Sequence, residues 1–199
     1  MKRIILILTG ISILYSCRNK GEESKNIIKA IVQDTLSKTL GGTADVSDDA
    51  QNDQKAVELI RKQLQILLKK DLPAMTKEDR YFYYEAFDLN NDQKHEYFVG
   101  FSNSYFCGSG GCSGYILNND GNLINSFTVT DFPIYVTTNP TEKFYDLIMQ
   151  SSGKFHHIKF KNGKYPSNPS VQPEHVGDFP KRSSKVLDIQ GKKLEQYSF

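Results

Sequence analysis

Apolar residues recur at intervals of three and four at Val57, Ile60, Leu64, Leu67 and Leu68, while Glu58, Arg61, Lys62 and Gln65 take the opposite side. That spacing predicts an amphipathic helix beginning near Asp53, capped by Asn52 or Asp53 and stopped before Pro73. From Arg80 onward the period changes to two. Tyr81–Phe87, Glu96–Phe101, Gly114–Leu117, Leu123–Val129, Ile134–Thr137, Phe144–Met149 and Phe155–Lys161 read as strands. Asn119-Asp120-Gly121-Asn122 and Asn162-Gly163 supply hairpin turns, since a type I′ turn demands positive φ at both central residues. Short connections imply antiparallel neighbours. Four prolines between Tyr165 and Arg182 make that segment irregular, and Val186–Ile189 with Leu194–Phe199 predict a last hairpin around Gly191. Tyr81–Phe87 is apolar on both faces, which predicts a strand covered by the helix on one side and covered or used for binding on the other. The fold class is therefore α+β: an antiparallel meander of about six to eight strands with one helix packed on it, formed by residues 53–199.

The start of the chain follows another pattern. Lys2 and Arg3 precede an apolar run from Ile4 to Leu14, far shorter than the roughly 18 to 20 residues a membrane span needs. A basic start, a short apolar run and a small residue make an export signal over residues 1–16. Leu14-Tyr15-Ser16-Cys17 resembles the lipobox of bacterial lipoproteins. The resemblance implies cleavage before Cys17 and an acylated Cys17, which holds the protein on a membrane because each buried methylene contributes about 0.8 kcal/mol. Residues 17–52 then read as a polar tether, in which Ile28, Ile31, Val32 and Leu36 mark a short amphipathic helix over Lys25–Lys38.

Removing Cys17 from the 3 cysteines leaves Cys107 and Cys112, an even remainder that reads as a disulfide in an oxidising compartment. Glycines at 108, 110 and 111 suit a tight cross-linked turn if they supply positive φ. The spacing is not the Cys-x-x-Cys of a redox pair, and the adjacent His156 and His157 point to opposite faces of a strand, so they cannot complete a zinc site. Charge excludes one class of partner. Loss of Lys2 and Arg3 with the leader leaves 23 basic against 23 acidic residues, without a basic stripe for nucleic acid.

The best candidate for chemistry is Asp88-Leu89-Asn90-Asn91-Asp92-Gln93-Lys94-His95-Glu96. Side-chain oxygens of Asp88, Asn90, Asp92 and Glu96 alternate along it, with the Lys94 carbonyl between the last two, the way a hard calcium ion collects ligands from one loop. The loop resembles the D-x-N-x-D-G-x-x-E calcium loops of integrin-like repeat domains. Gln93 stands where those loops carry glycine, at a turn position that prefers positive φ. The competing expectation is a hairpin whose Asp and Asn side chains bind their own backbone.

Catalytic patterns are absent. Ser113 lacks the second glycine of a G-x-S-x-G elbow, no phosphate loop follows the glycines, and His156 shares a strand face with Ile158 and Phe160, as a core-edge histidine does. Most tyrosines belong to the core, whereas Tyr105, Ser109 and Tyr115 around the disulfide loop are the expected binding surface. These features predict a non-enzymatic, membrane-anchored cell-envelope lipoprotein with a binding or structural role, a protein partner and calcium as the candidate cofactor. Two rival expectations are a periplasmic inhibitor or immunity protein of the lysozyme-inhibitor kind, whose S-G-x-x-Y signature this chain lacks, and a metal-dependent hydrolase using Asp88, Asp92 or His156.

Overall fold

A computed structural model describes residues 48–199; the leader, Cys17 and the expected Lys25–Lys38 helix lie outside the described residues. Helix α1 spans Asp48–Leu67. It starts before Asn52 and Asp53, which are interior residues and not caps. A 3-10 turn at Leu72–Ala74 follows, with Pro73 inside it.

Nine strands form one open sheet, all pairs antiparallel. They are β1 Tyr81–Phe87, β2 Glu96–Gly100, β3 Cys107–Gly108, β4 Gly111–Leu117, β5 Leu123–Thr141, β6 Phe144–Ser151, β7 Lys154–Ile158, β8 Ser184–Val186 and β9 Tyr197–Ser198. The main path runs β7-β6-β5-β4-β2-β1-β9, with β3 on β4 and β8 on β5. Two expected strands are one: β5 is 19 residues long and bends near Val129, whose φ is 50°. Before the bend β5 pairs with β4; beyond it, β5 pairs with β6 on one side and β8 on the other. The hydroxyl of the buried Ser151 donates to the Val129 carbonyl and pins the corner.

The expected last hairpin does not form. Its strands separate to fill different open edges, Val186 opposite Ile134 on β5 and Tyr197 opposite Phe82 on β1. Of the two expected turns, Asn162-Gly163 has the geometry foreseen, whereas in Asn119–Asn122 only Gly121 has positive φ, at 83°, and the turn closes from Gly121 N to the Asn118 carbonyl at 2.9 Å. Asn162 and Gly163 have φ of 53° and 81°, and Ser152-Gly153 repeats that pairing at 51° and 78° between β6 and β7.

The bend divides the apolar interior in two. Val57, Ile60, Leu64 and Leu68 pack on Phe82, Val99, Phe101 and Leu117, one face of the sheet. Phe98, Ile116 and Phe127 point the other way and meet Val136, Leu147, Met149, Ile158 and Phe160 from the far half of the bent sheet. Alternation forces this split, because neighbouring strand residues face opposite sides. It also accounts for β1: Phe82 and Tyr84 face the helix while Tyr83 and Phe87 pack in the second cluster, so both apolar faces are covered.

Candidate functional site

The Asp88–Glu96 loop joins β1 to β2 and is organised by its own side chains. Asp88 Oδ1 accepts from the Asn90 and Asp92 amides at 3.2 Å each, and Oδ2 accepts from Gln93 at 2.9 Å. Asn90 Oδ1 accepts from Asp92 N at 2.9 Å, and Asp92 Oδ1 accepts from Lys94 N at 2.9 Å. Asn91 and Gln93 have φ of 59° and 68°, so Gln93 adopts the left-handed conformation that the motif position calls for. Burial pushes the Asp88 carboxyl up, but the amides of Gln93, Asn90 and Asp92 outweigh it and hold the group below its usual range.

Glu96 differs from the rest of the loop. It is buried, and its Oε2 accepts from Leu89 N at 2.9 Å. Burial raises its carboxyl to about 7; the Leu89 amide opposes this, and the charges of Asp92 and Asp88 add to it. Among the described residues, no three His, Cys, Asp or Glu side chains are grouped to hold a metal by themselves. A calcium ion in this loop therefore depends on the full oxygen set, with Asn90 and the Lys94 carbonyl beside the carboxylates.

Cys107 and Cys112 are disulfide-bonded and pair directly across β3 and β4, with Cα atoms 3.9 Å apart. Of the three glycines expected to supply positive φ, only Gly111 does, at 120°. A Cβ there would lie 2.7 Å from the Val129 carbonyl carbon, so this position excludes any other residue twice over. Gly108 is ordinary strand with open space around its missing side chain. Tyr105 and Ser109 are exposed at this end. Tyr115 is half-buried with its ring edge-on to Phe101 at 6.0 Å, within the helix-side cluster.

The two candidate regions are not brought together. The Asp88 loop enters β2 at Glu96, whereas the disulfide hairpin lies past Gly100, whose register partner is Gly114 on β4. They occupy opposite ends of the same strand.

Two polar groupings escaped the sequence reading. Asp53, expected as a cap, accepts hydrogen bonds from the Tyr84 and Tyr197 hydroxyls, the second at 3.0 Å, and so ties α1 to β1 and β9. Burial first, then Asp53, raises both phenols above their ordinary range. The second grouping lies on β7. His156 is buried and its Nδ1 is 2.9 Å from the Gln172 carbonyl, the satisfied core-edge histidine expected. His157 faces the other way, with Nε2 at 3.0 Å from the buried Asp146 carboxylate on β6. Only alternation was available to flag it, and alternation separates the histidines without naming a partner.

No known protein family matches the chain, and neither a curated protein nor a solved structure shows significant similarity to it. Among the described residues, no helix is long and apolar enough to cross a membrane.

Proposed function

We propose that this protein is a membrane-anchored lipoprotein of the cell envelope, held through an acylated Cys17, and that its sheet domain has a non-catalytic binding role. One observation carries the reading: the Cys107–Cys112 disulfide, which belongs to an oxidising compartment and agrees with the export signal and the lipobox-like Leu-x-Ser-Cys. The disulfide clasps the hairpin beside Tyr105 and Ser109, so a protein partner meets a rigid loop and loses little entropy in ordering it. The Asp88–Glu96 loop, at the far end of β2, takes calcium in this reading and steadies the β1–β2 connection. Support for that comes from its oxygen donors and the left-handed Gln93.

Cell fractionation tests the anchor: the natural chain is expected in the membrane fraction and Cys17→Ser in the soluble one. A Cys17→Ser chain that stays with the membrane overturns the lipid anchor. A calcium titration followed by thermal melting tests the loop. The melting point is expected to rise with free calcium by mass action in the natural chain and not in Asp92→Ala. Equal behaviour of the two chains removes calcium from the account.

A further inference from the structure

Lysines 159, 161 and 164 are scattered in a neutral sequence, but the fold gathers them. His157, Lys159 and Lys161 alternate along β7 and its continuation, which puts them on one face. The Asn162-Gly163 turn then folds Lys164 back beside Lys161, their backbones joined by hydrogen bonds of 2.9 and 3.2 Å. These four side chains line a cavity of about 430 Å³, closed on another side by Gln172 and Pro173. That wall is fixed: the Pro173 carbonyl accepts from His157 N at 2.9 Å, and the Gln172 carbonyl is held by His156 at the same distance.

The charges around the cavity do not cancel. No carboxylate lines it, and among the described residues none of the three lysines makes an ion pair. Two acids nearby in the fold are engaged elsewhere, Glu174 with Lys154 at 2.9 Å and Glu142 with the Asn162 amide at 3.1 Å, while the buried Asp146 sits behind the cavity's own His157. Asp146 Oδ2 lies 3.0 Å from His157 Nε2. Three ammonium groups on flexible stems therefore dominate the concavity, beside an imidazole that faces Asp146 and a Gln172 amide that donates to the Asn168 carbonyl at 3.4 Å.

We propose that this cavity binds a compact oxyanion of the phosphate class, with Lys159, Lys161 and Lys164 supplying the charge. Ammonium groups suit such an anion as point charges, and charge-assisted bonds to it are the strong kind. The phosphate can come from a soluble phosphate or phosphomonoester, or from the headgroup of an anionic lipid. The proposal rests on the cavity and is independent of the envelope reading.

The test uses the full chain in neutral detergent, titrated calorimetrically with inorganic phosphate, and flotation with phosphatidylcholine vesicles with or without phosphatidylglycerol. The comparison is a pocket variant carrying Lys159→Ser, Lys161→Ser and Lys164→Ser. A control carrying Lys62→Ser, Lys69→Ser and Lys70→Ser on or just after α1 loses the same charge at exposed positions. Saturable phosphate binding, at least about tenfold weaker in the pocket variant and retained in the control, supports the site with a soluble ligand; tenfold is the scale of one charge-assisted bond. A preference for phosphatidylglycerol vesicles lost only in the pocket variant supports the site with a lipid headgroup. Absence of both, or equal loss in pocket variant and control, overturns the proposal.

Discussion

Glu96 is the residue whose environment departs furthest from its surroundings in the Asp88 loop: Asp88, Asn90 and Asp92 work at the surface, while Glu96 enters the core at the start of β2. Its carboxyl moves from an ordinary 4.5 to about 7, so the folded chain holds that proton more tightly than the unfolded chain. The sign follows from linkage: stability is full below 4.5, falls as pH rises through the window to 7, and is level above it. Glu96→Gln keeps an acceptor for the Leu89 amide and removes the titration. Urea midpoints measured from pH 4 to 8 are expected to fall through that window in the natural chain and to lose that decline in Glu96→Gln; the same decline in both would place the titration elsewhere. The loop itself was legible, because oxygen-bearing residues at alternate positions are a pattern in the sequence. The burial of Glu96 was not, since it goes with Leu89 turning into the core from the start of the same loop. Asp53 was misplaced for a similar reason, its tyrosine partners being far away in sequence on β1 and β9.

At the scale of elements, local periodicity carried most of the fold. β1 has the predicted limits, and α1 buries Val57, Ile60, Leu64 and Leu68 as their spacing requires. Leu64 is fully buried between helix and sheet, so Leu64→Ala is expected to cost about 2–5 kcal/mol in chemical denaturation, from lost contact and the cavity left behind. A loss near zero would mean that α1 does not dock on the sheet in solution. The errors were non-local. Leu123–Val129 and Ile134–Thr137 read as two strands, yet β5 runs on through the residues between them, with β4 and β6 paired to it around the bend and β6 and β8 flanking it beyond. The final segments were read as each other's neighbours because they adjoin in sequence, whereas open edges on β5 and β1 offered each of them a better pairing. The disulfide was legible by counting, but its effect is small. Closing so short a loop stabilises the chain by about 2 kcal/mol. Cys112→Ser is expected to lower the unfolding free energy from urea denaturation by that amount while leaving the far-ultraviolet circular dichroism unchanged; loss of the whole fold would mean that the clasp is a global staple.

Over the whole molecule, one bent strand lets a single sheet make two cores, one against α1 and one against itself. This leaves the Asp88 loop, the disulfide hairpin and the cationic cavity as three distinct places, of which the first two were visible in the sequence. The cavity was hidden, because lysines at alternate strand positions read as a solvated face until Gln172 and Pro173, from a proline-rich stretch without periodicity, build a wall beside them. The functional account depends on something simpler than any of these places, namely that the chain matures outside the cytosol. Intact-mass analysis of the protein purified from its native membrane tests that most directly. The predicted mass is that of a chain beginning at an acylated Cys17 and lacking two hydrogens, one from each sulfur of the Cys107–Cys112 bond. An uncleaved chain without lipid and with both thiols reduced would contradict the account.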